Sequence, residues 1–372
     1  MNKLPPHITK FRLGLYANAP GDARSLSRLL GPFQLMARQD RRLELVTPNR
    51  TTDNAGWDLD WHFFSACDAV IMLDPYLDAD LRRIQLARAC GCAVWADYVD
   101  DLSAVRPSNP VYMSYADVKG VQKNIAEVLR QSSITTTTTE TLRQRLPFSD
   151  SVLVIPESCR WPASDVKRQR VVTWRGFGSH GEDLESVLPQ VREVARHPNL
   201  SKFEWAFLGE PLWKVFDDVV PPERMVYAPP TTPYDLMNRW AGIAPYVHIV
   251  PLAANQFNYS KTPLAWLEAT AIGAAVLAPE FPEWKGLPGL TTYRTPEEFG
   301  AKLRGLMESY DEGKLHPNVA ESRKAIYPGW TTEFVNELRW GVLGELAKGI
   351  GKMSNVQCPM SNGVQKAEEV AA

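Results

Sequence analysis

Two polar stretches of this 372-residue chain carry side chains that could grip one anion between them. In the first, the apolar run Val171-Val172-Thr173-Trp174 leads into Arg175, then Gly176, Gly178, Ser179, His180 and Gly181. A guanidinium fork beside glycines that let the backbone come close is a phosphate-binding composition, since both the fork and the free N–H groups of a helix start donate to anionic oxygens. In the second, the apolar residues Ile249, Val250 and Leu252 are followed by a polar loop with Asn258, Ser260, Lys261 and Thr262, and then by a helix-forming run that carries Glu268. Lys261 would add a point charge, and Glu268, set among Ala, Leu and Trp, needs a partner if buried; a ribose diol would be one. Taken singly, a lysine after a loop and a glutamate on a helix are also ordinary solvated charges.

Carboxylates form a third group. Ala93 to Ala96 runs into Asp97-Tyr98-Val99-Asp100-Asp101, and acids at the carboxyl end of a strand suit proton transfer or the holding of sugar hydroxyls. Asp100 and Asp101 are the candidates, although the same pattern also serves as a helix cap or a solvated turn. Near the start of the chain, Asn18 and Gly21 lie in a turn between the strand-like Phe11 to Tyr16 and the helix-like Ala23 to Ala37. That turn could cradle an anion or simply reverse the chain. No metal site is expected: Cys90 and Cys92 stand one residue apart with neither a second pair nor a nearby histidine.

These residues need a scaffold, and the pattern around them supplies one. Ile249 to Ala278 reads as strand, loop, helix stopping at Gly273, and strand, which is a βαβ unit. Upstream, Leu43 to Val46, Cys67 to Leu73, the threonine-rich Ser133 to Thr139 and Val152 to Ile155 read as strands. Helices alternate with them over Asp80 to Ala89, with Arg82, Arg83 and Arg88 outward, over Val118 to Leu129 and over Glu140 to Leu146. Downstream of Val171, Phe203 to Leu208 is a further strand, Met225 to Tyr234 with its three prolines is a turn or loop, and Tyr227 in it is a core aromatic or a base-stacking one. Tyr234 to Trp240, Pro296 to Tyr310 and Trp330 to Lys348 are helical. The fold class is therefore α/β. The expected division is an N-terminal Rossmann-like domain over residues 1–160, a linker over 161–170, a C-terminal Rossmann-like domain over 171–326, a crossover helix over 327–348 and a disordered tail over 349–372.

The stretch Gly176 to Gly181 also spells G-x-G-x-x-G after a strand and before a helix, the fingerprint of dinucleotide-binding oxidoreductases. Its acidic partner should stand roughly 20 residues on, at the end of the next strand. The acid at that strand's end here, Glu210, comes later than that. Ser179 and Glu182 further make an S-x-x-E capping box, a purely structural reason for both residues.

A strand ending in Pro-Leu, then Phe257-Asn258-x-Ser260-Lys261, then a helix bearing Glu268 before Ala271-Ile272-Gly273, resembles the donor-binding segment of GT-B glycosyltransferases of the family 4-like type. In that family two glutamates usually stand eight positions apart. Glu268 matches the second, which grips the ribose of a nucleotide sugar. Ser260 occupies the place of the first, a departure shared by a subgroup with Asn, Ser and Lys in this loop. The Thr173 to Leu184 segment looks like the same subgroup, as does an acidic cluster followed by Asn109-Pro110.

The resemblance implies two Rossmann-like domains facing a cleft, with a C-terminal helix crossing back to the first. It implies an enzyme that moves a sugar from a nucleoside-diphosphate sugar to an acceptor hydroxyl, with retained configuration and no metal or other cofactor. Gly176, Gly178, Ser179, His180, Asn258, Ser260, Thr262 and Glu268 would then hold the donor. Arg175 and Lys261 would stabilise the leaving diphosphate. Asp100 and Asp101 would face the acceptor, with Asn18 and Gly21 in a phosphate- or acceptor-facing loop. The acceptor would be a glycan or lipid-linked saccharide, or else a hydroxymethylated base in viral DNA. An NAD-dependent oxidoreductase and a catalytically silent nucleotide-sugar-binding module are the readings from other classes.

Composition sets the outer limits. A hydrophobic share of 44% and a charged share of 23% fit a globular protein with cores of ordinary size, and a net charge of -2 gives no global pull toward nucleic acid or membrane. No apolar run reaches the ~18 residues of a bilayer span, and Met1 to Arg12 lacks a signal-peptide core, so a cytoplasmic protein without integral membrane association is expected. Five scattered cysteines fit reduced thiols.

Overall fold

A computed structural model of the chain describes residues 3–17, 22, 24–48, 61–159, 167–176, 178–209, 216, 218–231 and 233–353. The backbone contacts divide the chain into two units. The first holds Met1–Ser103, Asp117–Ile155 and Val335–Ala372; the second holds Ala104–Ala116 and Pro156–Phe334. Each is built on a six-stranded, all-parallel sheet.

In the first unit the strands are β1 (Phe11–Ala17), β2 (Leu43–Val46), β3 (Ala69–Leu73), β4 (Ala93–Tyr98), β5 (Ile134–Thr137) and β6 (Val152–Val154), in the order β2-β1-β3-β4-β5-β6. Parallel strands are covered on both faces, so central ones must be apolar throughout rather than alternating. All five residues of β3 and all six of β4 are buried. The threonine run forms β5 because β-branched side chains suit a strand. Its hydroxyls are not wasted: Thr137 donates to the Tyr98 carbonyl at 3.0 Å and Thr138 to that of Val99 at 3.2 Å. The Thr332–Met353 helix starts among residues of the second unit and sets Val335, Trp340, Leu343 and Leu346 into the core around Phe33, Ile71 and Trp95. This is the crossing-back helix; it extends five residues past the expected end at Lys348, and residues 354–372 lie outside the described residues.

The second unit carries β7 (Gln169–Gly176), β8 (Glu204–Gly209), β9 (Met225–Ala228), β10 (Pro245–Ile249), β11 (Ala275–Pro279) and β12 (Thr291–Tyr293), ordered β12-β11-β10-β7-β8-β9. Sequence order runs outward from β7 through β8 to β9, then returns to the other side of β7 with β10. The chain therefore reverses its direction across the sheet between two adjacent strands. Such a reversal leaves a crevice at the strands' carboxyl ends, because the connections on either side depart to opposite faces. The first unit has the same feature between β1 and β3.

Four local expectations are corrected. Arg83 points inward, 2% exposed, where it pairs with Asp80 at 3.1 Å and lies over the Tyr16 ring; a buried carboxylate needed a counter-charge that an outward arginine would not have given. Met225 to Ala228 is an edge strand, since the prolines begin only at Pro229. Tyr227 in it is 39% exposed rather than core, and its hydroxyl donates to the Gly209 carbonyl at 2.9 Å. Finally, β10 closes at Ile249, so Val250 to Leu252 already belongs to the loop that leaves the sheet.

Candidate functional site

The carboxyl ends of β7 and β10 bring together most of the residues singled out in the second half of the chain. The two strands pair directly, with Val172 opposite Val247 and Thr173 opposite His248. Arg175 and Gly176 therefore leave the sheet beside the loop that runs from Val250 to Pro263. Beyond that loop the Leu264–Ile272 helix begins, with Glu268 one turn in.

Arg175 forms an ion pair with Glu268, their side chains 18% and 16% exposed. Its guanidinium also stacks over Trp240, 5.2 Å from the ring centroid. Burial pulls its pKa down to about 10, and its Nε has no protein hydrogen-bond partner. Beneath it lies a neutral layer. Trp240 Nε1 donates to Thr173 Oγ1 at 3.2 Å, and the same hydroxyl stands 3.1 Å from His248 Nδ1. Burial and the nearby Arg175 charge push the His248 imidazole well below its usual range, so the positive charge stays on the arginine.

Gly176 is required by sterics. A Cβ there would meet the Trp174 indole at 2.5 Å and His180 Cδ2 at 3.1 Å. Its register partner Gly209 has φ +116, and a Cβ on it would come within 2.1 Å of the Gly176 carbonyl oxygen. Gly178, Ser179 and His180 form a single 3-10 turn, after which a helix of only five residues, Gly181–Glu185, begins. The capping box does not form: His180 is the N-cap with no side-chain cap bond, and Glu182 pairs instead with Arg106 at 2.8 Å. The helix is too short for its dipole to add much, so the anion-binding capacity here rests on side chains. A Cβ at Gly181 would meet nothing within 4 Å. The third glycine of a dinucleotide fingerprint exists to allow close helix–strand contact, and none is needed at this position.

On the other loop, the Gln256–Tyr259 turn of helix is capped by Asn255, whose side chain accepts from the Asn258 N–H. Asn258 is buried and its amide donates to Asp183 Oδ1 at 2.8 Å and to the Ala253 carbonyl at 2.9 Å. Ser260 is likewise buried, its hydroxyl bonded to the Phe257 carbonyl at 3.0 Å. Both residues therefore shape the loop. The Lys261 ammonium lies 4.8 Å from the Phe257 ring centroid, and its carbonyl accepts from the Trp284 indole at 3.1 Å. The Thr262 hydroxyl is buried with no partner.

Sequence reasoning passed over Asp183, which joins the two loops. It accepts from His180 Nδ1, from the Ala253 N–H and from Asn258, each at 2.8 Å. Burial alone would raise its pKa; the His180 bond and charge, the Ala253 N–H and the Lys261 charge outweigh that and hold the carboxyl below its ordinary value. Its sequence signals were its place three residues after a histidine in a turn and its membership of the Thr173 to Leu184 segment, where it was given no role.

In the first unit the polar groups gather at the carboxyl ends of β3 and β4. Asp97 and Arg28 make a buried two-point pair at 2.7 and 2.9 Å. Arg24 reaches Asp74 and Asp100, both at 3.3 Å. Asp101 is taken up locally: it accepts from the Ser103 hydroxyl at 2.7 Å and from Arg145 at 2.9 Å, beside a pocket of about 280 Å³ lined by Asp100, Ser103, Gln122 and Pro147. Asp74, not anticipated from the sequence, follows β3 directly with φ 48 and is 9% exposed; burial raises its pKa to about 7 against the opposing pull of Arg24. Asn18 and Gly21 lie outside the described residues, as does Glu210. Among the described residues no group of three His, Cys, Asp or Glu side chains stands ready to hold a metal, and no helix is long and apolar enough to cross a membrane.

No protein-family profile and no curated protein sequence matches the chain. Solved structures do. HepE from Anabaena, crystallised with UDP, superposes with a TM-score of 0.60 at 12% identity, over 90% of this chain and 100% of that one. The lipopolysaccharide outer core galactosyltransferase WaaB in its apo form gives 0.58 at 10% identity, over 90% and 99%. A mutant of S. aureus TarM, bound to Fondaparinux, alpha-GlcNAc-glycerol and UDP, gives 0.54 at 11% identity and covers 75% of this chain; the chain spans only 55% of TarM's length. At such identities the likeness speaks for architecture: the chain has the GT-B fold.

Proposed function

We propose that this chain is a glycosyltransferase whose second unit binds a nucleoside-diphosphate sugar and whose first unit binds a saccharide acceptor. The observation that carries the reading is Arg175. A guanidinium largely withdrawn from water at the reversal point of a parallel sheet keeps its Nε unpartnered beside its pairing with Glu268, and the neighbouring loop adds the unpartnered Thr262 hydroxyl, so both have a donor left for an anion. Lys261 supplies a second cation. When the bond from the anomeric carbon to the diphosphate oxygen breaks, its electron pair leaves with the diphosphate, and Arg175 and Lys261 stabilise the growing charge. The UDP complexes of HepE and TarM support a uridine diphosphate donor. Retention of configuration and catalysis without a metal follow from the family 4-like resemblance.

The acceptor assignment rests on charge. Among the described residues the carboxyl edge of the first sheet carries Asp74, Asp97, Asp100 and Asp101 against Arg24, Arg28 and Arg145, each arginine paired with a carboxylate, which suits hydroxyl groups and opposes a phosphate backbone. A saccharide is thus favoured over DNA. Calorimetric titration with UDP, GDP, ADP and NAD tests the donor reading: a nucleoside diphosphate binds, and Arg175→Ala weakens it at least tenfold with the fold retained. Binding of NAD alone would overturn the proposal.

A further inference from the structure

Two loops that leave adjacent strands can form one site only if something sets their spacing, and the Lys261 ammonium on the second loop calls for a negative charge nearby. Asp183 answers both needs. It is 5% exposed and stands one turn beyond the Gly178–His180 turn. Its Oδ1 accepts from the Ala253 N–H and the Asn258 amide of the second loop, and its Oδ2 from His180 of the first. An ionised carboxylate can only accept, so His180 must carry its proton on Nδ1, and the ring is fixed with Cδ2 against Gly176. Lys261 is close enough for its charge to act on the same carboxylate.

We infer that Asp183 is a positioning residue for the donor diphosphate, holding His180 and the Ala253 to Thr262 loop in register with Arg175. The inference rests on the donor reading above and adds to it the group that pre-organises the site. Its sign sets it apart from plain electrostatics. Taking a negative charge away from beside a phosphate site should tighten phosphate binding if charge were all that mattered. If Asp183 positions the loops, the same change must weaken it.

The test is Asp183→Asn, whose remaining carbonyl oxygen can still accept from Ala253 and Asn258 but which offers His180 no anionic acceptor. The expected result is a loss of about tenfold in UDP affinity, worth about 1.4 kcal/mol, a smaller loss for UMP and none for uridine. His180→Gln should cost a similar factor, and the double variant no more than either single one, because both interrupt the same contact. UDP binding to Asp183→Asn as tight as or tighter than wild type would overturn the inference, as would additive losses. Failure of the wild-type protein to bind UDP or any other nucleoside diphosphate would instead sink the donor reading. Should Asp183→Asn not fold, His180→Gln alone decides, through the same ranking of UDP, UMP and uridine.

Discussion

Replacing Asp74 by asparagine should change how stability depends on pH, and the size of the change can be worked from its surroundings. Asp74 is buried at the carboxyl end of β3, where burial lifts its pKa from 3.8 to about 7 despite the opposing charge of Arg24. An acid whose folded pKa exceeds its unfolded one keeps its proton in the native state after the unfolded chain has lost it. Between pH 4 and 7 the native state thus binds more protons, and stability falls as pH rises through that window. Three pH units of displacement correspond to ~4 kcal/mol at full ionisation, of which ~2.5 kcal/mol is lost between pH 5 and pH 8. Asparagine is a sound replacement. It can accept the Val99 N–H that Asp74 Oδ1 accepts at 2.8 Å, and it tolerates the left-handed backbone at φ 48 better than most residues. Urea unfolding of both proteins at pH 5, 6, 7 and 8 should give curves that separate from pH 5 to 7 and level off toward pH 8, with Asp74→Asn gaining on wild type. Titrating groups that do not interact with Asp74 cancel in the difference. Parallel curves across the range would show that the carboxyl titrates near its ordinary value, and the burial argument would be refuted.

Two further substitutions probe the supports of each sheet edge. Gly209→Ala should cost at least about 2 kcal/mol in chemical denaturation, because it combines φ +116 with a Cβ 2.1 Å from the Gly176 carbonyl oxygen; an unchanged midpoint would mean that the β7 and β8 ends are not pinched together. Arg28→Ala, which strands the Asp97 carboxylate in a dry interior, should cost roughly 3–5 kcal/mol, whereas Arg28→Ala with Asp97→Ala should recover part of it; equal losses in both would remove the ion pair from the account.

The α/β architecture was legible because its signals are local, whereas its GT-B type came from the resemblance. Apolar runs such as Ala69 to Leu73 and Ala274 to Ala278, separated by helix-length polar segments, specify buried parallel strands almost without regard to context. What escaped was decided by partners distant in sequence. Arg83 reads as a surface charge until Asp80 is seen to be buried. Ser179 and Glu182 match a capping box, yet a 3-10 turn starts the helix two residues later and Glu182 finds Arg106 instead. Asp183 and Asp74 stand out only in the structure: Asp183 through its bonds to the loop that follows β10, and Asp74 through its burial at the end of β3.

Glu268 shows how a resemblance and a physical reading constrain each other. The resemblance gives it the ribose, while the structure pairs it with Arg175. Both follow from one requirement. A guanidinium withdrawn from water cannot stand without a counter-charge, and Glu268 provides it. A diphosphate brings negative charge of its own, and once it satisfies Arg175 the pairing with Glu268 no longer offsets any desolvation. The carboxylate is then left buried with acceptors to fill, which the hydroxyls of a ribose can do. On the donor reading, Glu268 would therefore change partner on binding, with the diphosphate taking its place beside Arg175.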